Sequence, residues 1–309
     1  MTPNNARTVF NKIEVYITNV CNLTCEQCNR FNNFDFKGWQ RWSDHAEQYK
    51  QWAELIDLKA ITIMGGEPLL NPTIVEWIHG LNDAFGIEVQ VLTNGTRLTQ
   101  VRGLYDAIAH AKPRNGNKNS IAISLHNLAD LEQLQADIHE FLEGPVKQNT
   151  HRPDLWNADY QYSDRNGVFI NVYFQNSFDT STVQVNPEGR YALFNNDPAI
   201  AHDACTFVKF KSYHFIRGKL YKCGPAALLP EFDLQHKFDI SDSDRELLNS
   251  YQPLTVDNFA EYKDEFLESL NNPIAQCKFC PTHRKNIMKK TKINSLSKLV
   301  LYAINNSLI

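Results

Sequence analysis

IEVYITNVCNLTCEQC, residues 13–28, decides how this chain is read. Residues 13–18 alternate and are rich in β-branched and aromatic side chains, the pattern of a strand. Directly after it come Cys21, Cys25 and Cys28, spaced C-x3-C-x2-C. Three thiolates so placed can bind three irons of a 4Fe-4S cube and leave the fourth iron without a protein ligand. A structural zinc wants four ligands, and the nearest spare donor, His45, lies 17 residues past Cys28. A zinc loop is the alternative reading of the same residues.

Outward from this stretch the alternation returns at 60–64 (AITIM), 88–92 (EVQVL), 119–125 (NSIAISL) and 168–174 (VFINVYF), with a sixth strand expected at 181–186. Segments with helical spacing separate them at 44–57, 72–84 (Pro72 behind an Asn71 cap), 98–111 and 129–142. Alternating strand and helix predicts an α/β fold, a parallel sheet with right-handed crossovers that curls into a partial (β/α)6 TIM-like barrel. Ile121, Ile123 and Leu125 share one strand face, and Ala122, Ser124 and His126 share the other. Asn171, Tyr173 and Gln175 on the fifth strand, and Glu14, Tyr16 and Thr18 on the first, extend the polar set. Polar groups are costly in a closed core, so they predict a wet, ligand-holding interior at the C-terminal strand ends.

Residues 143–167 read as an irregular loop, and the character of the chain changes after Pro187. The expected division is a barrel at 1–190 and a smaller α+β domain at 191–309. In the second part, 207–216 and 219–223 predict a hairpin around Arg217-Gly218-Lys219, and 253–270 reads as loop then helix. The tail at 293–304 places Leu296, Leu299, Val300, Ala303 and Ile304 along one helical face, expected to pack on the body.

With 309 residues, 42% hydrophobic and 21% charged, the composition is that of a folded globular protein. A net charge of -4 gives no footprint for a nucleic-acid backbone, and the basic run between Lys278 and Lys298 reads as a solvated face. There is no membrane-spanning run and no secretory pattern at Met1 to Phe10, so the expected location is the cytoplasm. Seven cysteines without an export signal favour metal or redox work over a disulfide framework. The four remaining ones, Cys205, Cys223, Cys277 and Cys280, gather in the last third.

CNLTCEQC at 21–28 resembles the signature of the radical S-adenosylmethionine (SAM) superfamily. Met64-Gly65-Gly66-Glu67-Pro68, after the second strand, is similar to that family's GGEP motif. The resemblance implies that the open iron is chelated by the methionine moiety of SAM. An electron passed to the sulfonium then yields a 5'-deoxyadenosyl radical that takes a substrate hydrogen. It implies that Gly65 and Gly66, through their backbone, and the Glu67 carboxylate hold the methionine ammonium. Thr93 and Asn94 of the turn Thr93-Asn94-Gly95, with Ser124 and Asn171, are placed as further SAM contacts. Gln27 stands where the family usually has an aromatic residue beside adenine, and Phe31 or Phe34 is either a substitute ring or core. His126, at a strand end, could move a proton from a substrate radical or be a structural hydrogen-bonding group.

Cys205, Gly218 and Cys223 in the spacing C-x12-G-x4-C resemble the opening of the SPASM module, and with Cys277 and Cys280 its shortened "twitch" version. That resemblance implies a second 4Fe-4S cluster on these four cysteines, whereas the donor count alone also suits zinc. The spacing is similar to that of the 2-deoxy-scyllo-inosamine dehydrogenases, which oxidise a secondary alcohol. A fully ligated cluster can accept the electron left on a substrate radical, so the expected function is a radical SAM oxidoreductase. Its substrate would be a small molecule or a peptide, and its electron donor of the flavodoxin or ferredoxin kind. Alternatives are a peptide epimerase, in which Cys223 or another of the four thiols would be free to donate hydrogen, a peptide cross-linking enzyme, and a non-enzymatic cysteine-zinc binding protein. Little chain precedes Cys21, which favours a substrate without a leader peptide.

Overall fold

Six strands with apolar residues on alternate positions assemble in parallel because their inward residues stack in register. The computed structural model describes residues 7–25, 28–34, 37–111, 113–114, 116–150, 158–175 and 182–282. Its main sheet has nine strands: β1 (Lys12–Tyr16), β2 (Ile61–Met64), β3 (Val89–Thr93), β4 (Ser120–Leu125), β5 (Lys147–Thr150), β6 (Tyr160–Ser163), β7 (Phe169–Phe174), β8 (Ser212–Ile216) and β9 (Lys219–Tyr221). Their order is β9-β8-β1-β2-β3-β4-β7-β6-β5, parallel from β8 to β7 with antiparallel strands at both ends.

One row of partners crosses the whole parallel part: Phe215, Val15, Ile63, Val91, Ile121 and Ile170. All six are 0% exposed, so a register slip of one residue on any strand would expose that strand's apolar set. Helices cover this face: α1 (Ala46–Leu55) brings Tyr49 and Trp52, α2 (Ile74–Phe85) Trp77, Ile78 and Leu81, α3 (Leu104–Ala109) Leu104 and Ile108, and α4 (Leu131–Phe141) Leu134 and Ile138. Short helices α5 (Pro198–Asp203) and α6 (Thr206–Phe210), then α7 (Gly224–His236), α8 (Asp242–Asn249) and α9 (Phe259–Asn271), make up the rest.

Five expected strands and four helices form near their expected places, although only Leu104–Ala109 of the third helical segment is α-helical. The sixth strand differs. Val183–Val185 pairs antiparallel with Tyr191–Leu193, apart from the main sheet, and Val185 is 62% exposed. The sixth parallel strand is β8, added beside β1 rather than after β7. Its five residues are all buried, which alternation alone does not signal. Residues 207–210, expected in that strand, belong to α6; Lys211, at φ 48°, separates the two. The expected loop 143–167 contains β5 and β6, which pair antiparallel onto β7; Gln161 and Tyr162 find partners in Asn171 and Ile170. Edge pairing makes strands here of polar sequence with weak β propensity.

The hairpin at Arg217-Gly218 forms as expected, joining Ile216 to Lys219 with φ of 50° and 69° at the two turn residues. Two positive φ angles mark a turn that suits strand twist and favours glycine. The expected boundary near 190 lies beside the turn of the small hairpin, and the chain beyond it returns β8 and β9 to the main sheet. The tail segment 293–304 lies outside the described residues. No described helix is long and apolar enough to cross a membrane.

Candidate active site

The turns that follow β1, β2 and β3 meet at the C-terminal edge of the parallel sheet. Gly66 N–H donates to Thr18 O (2.8 Å) and Glu67 N–H to Val20 O (2.8 Å), stitching the GGEP turn to the strand that leads into Cys21. A Cβ on Gly65 would lie 2.5 Å from Thr18 O, and one on Gly66 2.3 Å from Val20 O. These glycines let two backbones touch. Glu67 is 0% exposed, and its carboxylate accepts from Leu69 N (2.8 Å), Thr93 Oγ1 (2.6 Å) and Asn94 N (2.7 Å). Burial raises its pKa while these donors oppose the rise. The carboxylate thus points into the protein, tying the second turn to the third. Asn94 Nδ2 in turn reaches Asn22 Oδ1 (2.9 Å) beside Cys21, a link the sequence reading missed.

One cavity is lined by Cys21, Cys25, Cys28, Gly65, Gly66, Thr93, Asn94, Ser124 and His126. Residues far apart in sequence, singled out for one job, converge there. Burial pushes the Cys21 thiol up to about 11, with Glu67 and the other two thiols adding to the rise, and Cys25 moves the same way. Buried thiols such as Cys21 and Cys25 need a cationic group to ionise, which a cluster supplies. The residues therefore fit a three-cysteine iron site. Asn171 is not in this lining; it sits on the same face, and its buried Oδ1 has no hydrogen-bond partner. Gln27 lies outside the described residues. Phe31, 0% exposed, packs on Phe232 at 6.0 Å, and Phe34 packs on Phe232 and Tyr191, so both are core residues.

His126 Nδ1 is 2.9 Å from Gln175 O, and since a carbonyl only accepts, the proton sits on Nδ1. Burial lowers its pKa, so the ring is neutral near pH 7, with Nε2 unprotonated.

Below the cavity, Arg30 Nη2 is 2.7 Å from Glu14 Oε2, 2.8 Å from His214 Nε2 and 3.2 Å from Met64 Sδ. Glu14 and His214 are register partners on β1 and β8. Burial opposes charge on Glu14, yet His214 and the Arg30 guanidinium hold it well below the carboxylate range. His214 itself is pushed down, by burial first and Arg30 next, so the charged pair is Glu14 with Arg30. Glu14 was read only as part of a polar face; neither Arg30 nor His214 carries a local pattern.

The four later cysteines line a second cavity together with Lys222 and Asn29, and Asn29 also lines the first. Cys205 is the N-cap of α6 and Cys223 that of α7; Cys277 sits in the 3-10 turn Ala275–Phe279, which Cys280 ends. The spacing C-x12-G-x4-C acquires a cause: it spans α6, β8, the two-residue turn with Gly218, β9 and the step into α7. Burial and the neighbouring Cys205 raise Cys223 to about 12, and burial with the other three thiols raises Cys280 well above the usual range. Burial lowers the Lys222 ammonium, and the thiols of Cys277, Cys223 and Cys205 pull it back up. All seven cysteines are unpaired, and among the described residues no three His, Cys, Asp or Glu side chains form a group suited to a single ion.

Residues 15–149 match the Radical SAM superfamily. The matched segment contains the three-cysteine loop and the turns after β2, β3 and β4. The family implies a 4Fe-4S cluster and reductive cleavage of SAM. Solved structures similar to the chain include Streptococcus suis SuiB bound to S-adenosylmethionine (19% identity over 40% of this chain and 27% of that one, TM-score 0.32). SuiB bound to its precursor peptide SuiA also matches (18% identity, 40% and 26%, TM-score 0.32). So does BtrN in complex with AdoMet and 2-DOIA (20% identity, 39% and 48%, TM-score 0.30). The chain thus spans between a quarter and a half of the length of these relatives. No curated protein matches it.

Proposed function

We propose that the chain is a radical SAM oxidoreductase of the cytoplasm, acting on a small molecule or a peptide, with an auxiliary 4Fe-4S cluster on Cys205, Cys223, Cys277 and Cys280. On this reading the open sheet is a partial (β/α)6 barrel, and 191–309 is a twitch-like module that lends β8 and β9 to it. The observation that carries the proposal is the shared wall: Asn29, directly after the third cysteine, lines both cysteine cavities. A substrate held beside SAM would then lie within reach of both sites.

When bound, the first cluster and SAM supply the 5'-deoxyadenosyl radical, which takes one hydrogen atom from the substrate and becomes 5'-deoxyadenosine. Nε2 of His126 would accept the proton that the substrate gives up, and Cys205, Cys223, Cys277 and Cys280 would hold the cluster, whose chemistry is to accept one electron. An external one-electron carrier of the flavodoxin or ferredoxin class supplies the electron for SAM cleavage, and such a carrier also takes up the released one. Thr93, Asn94, Ser124 and the backbone of Gly65 and Gly66 position SAM. Glu67 holds those turns together. Arg30 and Glu14 keep the floor of the cavity charged but paired.

Anaerobically purified protein should hold about eight irons per chain with matching sulfide, two four-iron clusters. Cys205→Ala/Cys223→Ala should retain about four, still form 5'-deoxyadenosine from SAM and dithionite, and make no oxidised product. His126→Asn should keep all its iron and cleave SAM but oxidise substrate about 10²-fold more slowly. Stoichiometric zinc without sulfide would end this reading in favour of a binding protein.

A further inference from the structure

The residue before Cys223 is a lysine whose side chain is sealed inside the protein. Lys222 is 4% exposed, and its ammonium donates to the carbonyl oxygens of Ser269 and Asn272. Those carbonyls lie at the C-terminal end of α9, a 13-residue helix, where unpaired carbonyls and the helix dipole both attract a cation. Lys222 also borders the four-cysteine cavity, along with Cys205, Cys223, Cys277 and Cys280. Its backbone N–H donates to Tyr251 Oη (3.0 Å), so the main chain is pinned as well. A long, flexible side chain is thus held in one place on the wall of the four-cysteine cavity, where Cys277, Cys223 and Cys205 act on its charge.

We infer that Lys222 is a fixed positive charge that raises the reduction potential of the centre held by the four cysteines and so makes it an electron acceptor. The inference rests on the proposed auxiliary cluster and adds what sets its direction of electron flow. Four thiolates give a bound 4Fe-4S centre a net negative charge that grows by one on reduction, so a buried cation beside it favours the reduced form. The balance is simple. A substrate radical that loses one proton and one electron becomes the closed-shell product, and the centre gains that electron. Solvent screens a charge at the surface, and a buried one such as Lys222, 4% exposed, is screened much less.

The rival account is that Lys222 only caps α9. Three variants separate the two accounts in the full-length, cluster-loaded protein. Lys222→Gln keeps a donor for the carbonyls without the charge, Lys222→Met removes both, and Lys222→Arg keeps the charge. Iron content is measured first, then the midpoint potential of the second centre by EPR-monitored titration. The titration uses chains in which Cys21→Ala, Cys25→Ala and Cys28→Ala have removed the first centre. We expect Gln and Met to lower the one-electron reduction constant at least tenfold, about 59 mV, and Arg to stay within threefold of the parent. If only the uncharged variants lose the iron of this centre, the charge is needed even to hold it, and the inference stands. Unmoved potentials with full iron, or loss of iron in all three variants, would mean that Lys222 is a cap and nothing more. A parent protein with no iron on these cysteines overturns the auxiliary cluster itself, a result distinct from an unmoved potential.

Discussion

Single residues show where spacing informs and where it misleads. Glu67 was legible as important, since a carboxylate in GGEP stands out, but its target was not: the sequence cannot say that Thr93 and Asn94 swing back to meet it. Glu67→Gln tests the geometry. The amide can still accept on one oxygen, but its NH2 faces the N–H of Asn94 or that of Leu69. A buried donor left unsatisfied costs about 1–3 kcal/mol. Thermal unfolding should show that loss of stability, with weaker SAM binding as the turn after β3 relaxes. If the carboxylate instead met the ammonium directly, SAM affinity would fall while the ligand-free protein kept its melting temperature. Phe31 and Phe34 illustrate the opposite case. An aromatic ring near a motif reads as a ligand contact, whereas Phe31 and Phe34 pack against Phe232, which lies about 200 residues away in a helix whose periodicity points nowhere near them.

Elements were readable where period and burial agree. Residues of β1, β2, β3, β4 and β7 alternate because one face packs on helices, and on β2, β3 and β4 Met64, Leu92 and Ser124 border the cavity. β5, β6 and β8 were missed or misplaced for physical reasons. KQNT and YQYS become strands only because β7 offers an unpaired edge, and β8 is buried throughout, so its period vanishes. The turns are less forgiving than the strands. Gly66→Ala would set a Cβ 2.3 Å from Val20 O and 3.0 Å from the Cys21 Cβ, a clash with backbone that no rotamer relieves. The cysteine loop must shift, so we expect this variant to lose the iron of the first site and keep that of the second. Iron analysis and EPR of the reduced protein check it; full occupancy of both sites would contradict the stitching of these two turns.

At the scale of the whole molecule, one chain-long polar contact joins the N-terminal strand to the last third: Arg30, Glu14 and His214. His214 has a folded pKa below its ordinary value, by burial first and Arg30 second. Its contribution to stability is therefore complete above about pH 6.5 and declines as the pH falls, because the unfolded chain takes up the proton first. Glu14, held low, acts in the other window, losing its contribution only as the pH drops below the ordinary carboxylate range. Between pH 7 and 5.5 the parent should lose up to about 1.4 kcal/mol per pH unit more than His214→Gln, read as the difference between their denaturation midpoints in the same buffers. Parallel curves would refute a neutral His214. The division near 190 was inferred from a change of composition, yet composition does not reveal that the chain returns to its first strand. That return has a further meaning. Residues 212–216 lie beside residues 12–16 in one hydrogen-bonded ladder, so the two thiol sites hang from neighbouring strands about 4.8 Å apart. On the proposed reading, this ladder sets how far the four-cysteine site lies from a substrate held at the first. On that reading, backbone hydrogen bonds between the two strands would hold the span while substrates come and go, so the final electron hop would keep one pace from turnover to turnover.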